Sequence, residues 1–587
     1  MEVKARVEAL REKMRKEGVD AYFITGSDPH ASEYVPPRWQ TRGWISGFSG
    51  SAGTVVITQK EALLWVDSRY YIQGEQQIAN TPFTLQKLGM AEVVGPAEWL
   101  GENLPANSKV AVDQTCFTLA DQRKLLGELK PRNLILEERE DWFDEIWPNR
   151  PPLPFSKVKA LPVSIAGASA GEKIEMIREV MRDKGWSDTI ISSLDDIAWI
   201  LNLRGADVPY NPVFLSYLLV GMERVILFTN PERFEAGVLD RGITLKPYEE
   251  IFSYLGEHFT PSSTLYISPD RSNLRLIGAL PASLKRVEGL DISTLLKSRK
   301  NKTEQEGMRL AHKADGVAMV KFLAQVASGE KCYTELTLAT ELENYRRQSS
   351  DYLGPSFSTI AGFKEHGALA HYSASEESSV ELVGNGLLVL DSGGQYTCGT
   401  TDITRTLLFG EASSEMMRDY TLVLKGNLAL SRQQFPSQTA GYQLDSLARQ
   451  FLWQAGLNYG HGTGHGVGFC LNVHEGPQNI SPRPIEVALE EGMVISNEPG
   501  IYREGSHGVR VENLVMVQRG DVSEMGQFYR FEVLTLAPFE RRLIDTTLLS
   551  EEEQREINDY HARVYEELQG ELSEAQRAWL RQATLPL

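Results

Sequence analysis

Apolar residues recur at Val3, Val7, Leu10 and Met14, at spacings of three and four that put one apolar stripe on a helix. Gly18 follows where such a helix ends in the left-handed conformation. The run Ala21-Tyr22-Phe23-Ile24-Thr25 then reads as a short buried strand, and further strands are predicted over Gly53–Thr58 and Ala62–Val66. The same opening returns later in the chain. Ser169 and Glu172 fit a capping box, Ile174, Ile177 and Met181 make an apolar face, Gly185 closes the helix, and Thr189-Ile190-Ile191 supplies the strand. The repetition predicts a duplicated α/β domain. Between the copies, Asn149-Arg150-Pro151-Pro152-Leu153-Pro154 suits a stiff linker.

A third region begins near residue 300. The polar, basic segment from Lys297 to Lys302 precedes Thr303 and Glu306, which fit a second capping box, and a long helix is predicted to about Ala327. Helices then alternate with strongly apolar strands to about residue 540. Ser550 and Glu553 open a helical tail. The expected organisation is one α/β domain over residues 1–155, a second of the same kind over 156–302, and a larger one over 303–587 with a helical extension from about 545.

Composition narrows the class. A chain of 587 residues suggests three to four domains at about 150 residues each. With 42% hydrophobic and 24% charged residues, it is neither disordered as a whole nor fibrous. Lys and Arg number 60 against 79 Asp and Glu, a formal net of −19, which argues against nucleic acid or an anionic membrane as a partner. Cys116, Cys332, Cys398 and Cys470 are far apart and show no CxxC spacing, so neither a disulfide framework nor a thiolate zinc site is expected. The charged start Met1-Glu2-Val3-Lys4-Ala5-Arg6 does not resemble a secretory signal, and no apolar run approaches the ~20 residues that span a bilayer. The expectation is a cytoplasmic protein with reduced, packing cysteines.

Candidate chemistry gathers in the third region. Gly386-Leu387-Leu388-Val389-Leu390-Asp391 is a buried-strand pattern ending in a carboxylate, and Asp402 opens a second strand, Ile403–Phe409, after a loop rich in Gly and Thr. A hairpin would bring the two aspartates near each other, where they repel unless a proton, an arginine or a metal sits between them. The segment Gly460-His461-Gly462-Thr463-Gly464-His465-Gly466-Val467-Gly468, followed by His474-Glu475-Gly476-Pro477, holds three of the ten histidines. Imidazoles among glycines suit metal binding or proton transfer. Neither a P-loop nor HExxH is present. In Gly492-Met493-Val494-Ile495-Ser496-Asn497-Glu498-Pro499-Gly500 another strand ends in a carboxylate. Gly508 to Val515 alternates with period two, which projects Arg510 and Glu512 to one face, where the arginine can orient a carboxylate.

Each piece alone has an ordinary structural use, as a turn cap, a core histidine or a solvated strand face. Together they supply two Asp, two Glu and at least one His, a donor set that suits two divalent cations bridged by carboxylates. Much oxygen and little sulfur favour Mn²⁺, with Co²⁺ or Zn²⁺ as alternatives.

Residues from about 303 to 540 resemble the pita-bread metallopeptidases, which include methionine aminopeptidase, prolidase and aminopeptidase P. The Asp391-to-Asp402 spacing and the HGTGHGVG…NVHEGP and NEPGIY…GVRVEN motifs are similar to the aminopeptidase P branch. The tail, with Phe531-Glu532-Val533-Leu534-Thr535-Leu536 and Tyr560-His561, resembles its long, three-domain cytosolic form. The resemblance implies two creatinase-like N-terminal domains, without catalytic residues of their own, ahead of a pita-bread catalytic domain. It implies that Asp391, Asp402, His465, Glu498 and Glu512 hold two metals, with Asp402 and Glu512 bridging. Glu498 would also assist proton transfer from the attacking water. His371, His461 and His474 match substrate-binding and catalytic histidines, and Arg510 joins the substrate side. The implied activity is release of the first residue from peptides with proline at position two, by a homodimer. A prolidase acting on Xaa-Pro dipeptides is the alternative, and a binding protein without activity is a more distant one.

Overall fold

The central strands of the N-terminal half are apolar on both faces, as a sheet covered on both sides requires. In a computed structural model describing residues 1–260 and 262–587, they build two six-stranded sheets. The first runs in the order Thr84–Lys87, Ala62–Val66, Thr54–Thr58, Ala21–Ile24, Lys109–Asp113, Ile135–Arg139. The second runs Thr244–Lys246, Val225–Phe228, Tyr217–Gly221, Asp188–Ile191, Thr264–Ile267, Lys285–Glu288. In each, the strand that comes first in sequence pairs antiparallel on one side and parallel on the other. The remaining pairs also agree in sense, strand for strand. The repeated helix–glycine–strand pattern thus corresponds to a repeated sheet.

The opening helices repeat as well. Val3–Glu17 buries Val7, Leu10 and Met14 and ends at Gly18 with φ +67°. Ala170–Lys184 starts at the Ser169–Glu172 capping box, buries Ile174, Ile177 and Met181, and ends at Gly185 with φ +71°. Val110, Val112 and Leu125 of the first repeat share one hydrophobic cluster with Leu219, Leu265 and Leu276 of the second. Each fully buried side chain of this kind contributes about 1.5–3 kcal/mol.

The chain divides into two compact units. One comprises Met1–Ala160, Ser169–Pro209 and Val213–Ser293, and the other Leu161–Ala168, Tyr210–Pro212 and Thr294–Leu587. In the second unit, a three-stranded sheet joins Ile360–Phe363, Gly386–Ser392 and Ile403–Phe409. A six-stranded sheet runs Gln434–Pro436, Gly526–Val533, Asn513–Ser523, Val494–Asn497, Gly464–Gly466, Glu475–Ile480. Helices Lys302–Ser328, Glu335–Arg346, Ser414–Ser431 and Asp445–Gln454 belong to this unit, as do Glu551–Leu568 and Glu574–Ala583 in the tail. Among the described residues no helix is long and apolar enough to cross a membrane.

Two local expectations change. The long helix is capped by Asn301, whose side chain accepts from the Thr303 and Glu304 amides while Glu304 reaches back, so the capping box lies two residues before Thr303–Glu306. Asparagine is at least as good an N-cap as threonine. The period-two run from Gly508 to Val515 is not one strand: His507–Arg510 pairs with Gly500–Arg503, and Asn513–Ser523 enters the six-stranded sheet. The chain changes sheets at Val511-Glu512, which leaves Glu512 at the junction.

Candidate metal centre

Antiparallel pairing of Gly386–Ser392 with Ile403–Phe409 sets Asp391 opposite Thr404 and leaves Asp402 just beyond the pair. The expected hairpin therefore delivers both aspartates to one end. His465 is the middle residue of Gly464–Gly466, and its flanking glycines are required by close approach. A Cβ on Gly464 would lie 1.8 Å from the Ser496 carbonyl oxygen, and one on Gly466 2.3 Å from that of Glu475. Glu498 directly follows Val494–Asn497.

These elements converge. Asp391, Asp402 and Glu512 offer carboxylate oxygens within 4.8 Å of one another, and so do ligand atoms of His465, Glu498 and Glu512. A third group of the same tightness joins Asp402, His465 and His474. His465 Nε2 lies 3.5 Å from Asp402 Oδ2 and 3.4 Å from Glu498 Oε1. Its Nδ1 is 2.9 Å from the Gly466 carbonyl, which can only accept, so Nδ1 carries the proton and Nε2 faces the carboxylates.

Neighbouring side chains fix the carboxylates. Arg510 donates to Asp391 Oδ2 at 2.8 Å, to the Tyr502 hydroxyl at 2.6 Å and to Thr404 Oγ1 at 3.3 Å. Thr404 donates in turn to Glu512 Oε2 at 2.8 Å. Ser496 donates to Glu498 Oε1 at 3.0 Å and accepts from the His465 amide. The fully buried Arg405 donates to the backbone carbonyl of Glu512 at 2.6 Å and to Asn513 Oδ1 at 2.8 Å. Three oxygens remain over. Asp391 Oδ1, Asp402 Oδ1 and Glu512 Oε1 are buried and have no hydrogen-bond partner. Leaving buried polar atoms unpaired costs about 1–3 kcal/mol each, more when charged.

The electrostatics match. Burial, reinforced by Asp402 and Glu498 against the pull of Arg510, pushes Asp391 up to about 7. Burial and the same crowding raise Glu512 well above the carboxylate range, and burial also raises Glu498. Asp402 alone falls, since against its burial it has His465 beside it. His465 rises to about 9 against its own burial, through Asp402 and Glu498. A donor set of oxygens and one imidazole, with buried orphaned oxygens and surplus negative charge, fits divalent cations.

The histidines expected on the substrate side divide. His474 stands beside His465, ring centroids 4.2 Å apart. His461 has both nitrogens engaged. Nδ1 lies 2.7 Å from the Gly462 carbonyl, so Nε2 accepts the Tyr502 hydroxyl proton at 2.8 Å. Burial, then the charge of Arg510, hold it down to about 3, and His371 adds to that depression. His371 itself is exposed, on the irregular segment after Lys364–Ala368. Arg510 is buried behind the cluster, its guanidinium taken up by Asp391, Tyr502 and Thr404. Sequence reasoning gave no role to Tyr502, Thr404 or Ser496. Tyr502 carried one usable signal, the glycine two residues before it: a Cβ on Gly500 would lie 2.8 Å from the Tyr502 hydroxyl.

Comparison with known proteins identifies the family. Residues 306–519 match metallopeptidase family M24 and residues 527–587 its C-terminal region. Residues 6–136 and 149–304 each match a creatinase/prolidase N-terminal domain. The chain is 38% identical over 592 residues to Xaa-Pro aminopeptidase 1 of Dictyostelium discoideum, covering 96% of this chain and 93% of that one. It is 39% identical over 606 residues to a probable Xaa-Pro aminopeptidase P of Botryotinia fuckeliana, covering 99% and 92%. The crystal structure of X-prolyl aminopeptidase from Caenorhabditis elegans, described as a cytosolic enzyme with a di-nuclear active site, superposes with a TM-score of 0.95 at 33% identity, covering all of both chains. An Xaa-Pro dipeptidase from Bacillus anthracis aligns with 63% of this chain and 99% of its own, at 24% identity and a TM-score of 0.52, a likeness of fold alone. The full-length relatives decide for the aminopeptidase over the prolidase. The chain belongs to metallopeptidase family M24, in its Xaa-Pro aminopeptidase branch, with two creatinase-type N-terminal domains ahead of a pita-bread peptidase domain.

Proposed function

We propose that the chain, a metal-dependent exopeptidase, hydrolyses the N-terminal Xaa-Pro bond of peptides through this cluster. Asp391, Asp402, His465, Glu498 and Glu512 would hold two divalent cations, with Asp402 and Glu512 shared between them. The observation that carries the reading is the trio of buried, unpartnered oxygens on Asp391, Asp402 and Glu512. The oxygen-rich, sulfur-free donor set favours Mn²⁺, with Zn²⁺ or Co²⁺ next. When bound, the two ions supply Lewis acidity for attack of water on a carbonyl.

The chain's own residues do the rest. Glu498, oriented by Ser496 at 3.0 Å, takes a proton from the attacking water and returns it to the prolyl nitrogen as the C–N bond breaks. That nitrogen belongs to a tertiary amide with no N–H, so recognition rests on the pyrrolidine ring. His371 and His474 line the place for that ring. Arg510 and His461 act on the substrate through Tyr502, whose hydroxyl donates to His461 Nε2 and accepts from Arg510 Nη1. The substrate's free α-amino group meets the carboxylates, which restricts cleavage to the first bond. The Caenorhabditis elegans neighbour, described as cytosolic, supports a cytoplasmic enzyme. We place it as a homodimer by family analogy, and sedimentation velocity would measure this directly.

Mass spectrometry of a digest tests the activity. With Mn²⁺ added, a long peptide beginning Xaa-Pro should lose one residue, while the same peptide with alanine at position two stays intact. Cleavage of an Xaa-Pro dipeptide alone would contradict the proposal.

A further inference from the structure

The segment from Phe363 to Val380 carries His371 and little regular structure beyond the turn Lys364–Ala368. Its own bonds are those of turns, such as the Leu369 amide to the His366 carbonyl at 3.1 Å and the Tyr372 amide to the Leu369 carbonyl at 3.0 Å, and a segment held by turns alone opens easily unless it is anchored. One buried side chain supplies an anchor shared by several of its points. Glu335, the first residue of helix Glu335–Arg346, is 0% exposed. Its Oε1 accepts from the Phe363 amide at 2.8 Å and from His366 Nδ1 at 2.9 Å. Its Oε2 accepts from the Tyr372 hydroxyl at 2.9 Å and from the Val380 amide at 3.2 Å. The backbone adds a bond from the Glu335 amide to the Val380 carbonyl at 3.2 Å. One carboxylate therefore ties both ends of the segment and two points within it. Tyr372 is the neighbour of His371, and the His366 ring stacks on it with centroids 4.5 Å apart at 26°. Four donors on one carboxylate leave little slack in where His371 is presented.

We infer that Glu335 is the positioning residue for His371: it serves the reaction without touching substrate, by fixing the segment that presents that imidazole to the proline ring. The inference rests on the assignment of His371 made above. It explains why a full carboxylate is buried here, where a neutral side chain could satisfy only some of these donors.

A double-mutant cycle tests it. Glu335→Gln replaces one acceptor oxygen by an NH₂ group, so at least one backbone amide, Phe363 or Val380, loses its acceptor, and His366 and Tyr372 must share what remains or turn to Ser378. Metal content, kcat and KM on an Xaa-Pro peptide are measured for Glu335→Gln, His371→Ala and the pair. The expected result is a loss of about tenfold or more in kcat/KM for Glu335→Gln at unchanged metal content. In the His371→Ala background the same change should cost less than about twofold. An equal loss in both backgrounds, or no loss in either, overturns the inference. Normal turnover of His371→Ala would instead remove the assignment of that histidine, and the inference with it. Should Glu335→Gln fail to fold, Tyr372→Phe takes its place in the cycle. It removes one donor and should cost about threefold with His371 present and nothing without it. Equal costs again overturn the inference.

Discussion

The N-terminal sheets and the sheets of the C-terminal unit both place carboxylates at strand ends, but only in the C-terminal unit do those carboxylates converge. Lys109–Asp113 ends in Asp113, Lys285–Glu288 ends in Glu288, and Ala62–Val66 is followed by Asp67, each on a different strand and none grouped with the others as a metal-ligand set. Buried acids of that unit are handled one by one: Asp207 meets Arg233 at 2.8 Å and Asp188 meets Arg224 at 2.8 Å, while Asp291 keeps both its oxygens unpaired. In the other unit Gly386–Ser392 contains Asp391, Ile403–Phe409 is preceded by Asp402, and Val494–Asn497 is followed by Glu498. All three side-chain groups able to hold a metal, among the described residues, lie there. A buried carboxylate without a partner costs several kcal/mol, and crowding several together costs more. Strand-end carboxylates thus stay apart in one region and are gathered in the other, at a cost that bound cations would offset.

Changes at the cluster should break this contrast most. Asp402→Ala should lose metal and lower kcat/KM by about a thousandfold or more, since cation chemistry is worth several kcal/mol at about 1.4 kcal/mol per decade. Metal analysis and peptide assay together check it, and full activity would mean that the carboxylates are structural. Next comes the arginine behind them. Arg510→Lys cannot hold Asp391, Tyr502 and Thr404 at once, so metal affinity or kcat/KM should drop about 10- to 100-fold with the fold intact. Calorimetric titration with Mn²⁺ separates the two effects. The smallest effect on activity should come from the N-terminal unit. Leu219→Ala, at a fully buried position, should cost about 2–5 kcal/mol in stability and leave kcat/KM of the folded protein within about twofold. Thermal unfolding and the same assay read both numbers. A large activity loss there would show that the two regions are not separable in function.

The elements most legible in the sequence were those with a local physical signature. The Ser169–Glu172 and Ser550–Glu553 capping boxes, the glycines ending both opening helices, and the strands that deliver Asp391 and Asp402 all follow from short-range rules. The cap of the long helix was misplaced because Asn301 and Thr303 both offer a capping side chain, and only tertiary context selects one. The strand break at Val511-Glu512 does have a signal in the sequence, since the alternation stops there: Glu512 and Asn513 are both polar, and Leu514 and Val515 both apolar. The roles of Tyr502, Thr404 and Ser496 were hidden for another reason. Each acts through a partner distant in sequence, as Thr404 does through Glu512, and no spacing rule connects them. Glu335 is the extreme case, a lone acid at a helix start whose donors come from a segment beginning at Phe363.

The most direct measurement is the metal content of the purified chain after loading with Mn²⁺, by plasma mass spectrometry against protein concentration, for the wild type and Asp402→Ala. Two ions per wild-type chain and none retained by the variant is the expected result. One ion or none in the wild type, or two still held by Asp402→Ala, would contradict a dinuclear centre built on these carboxylates.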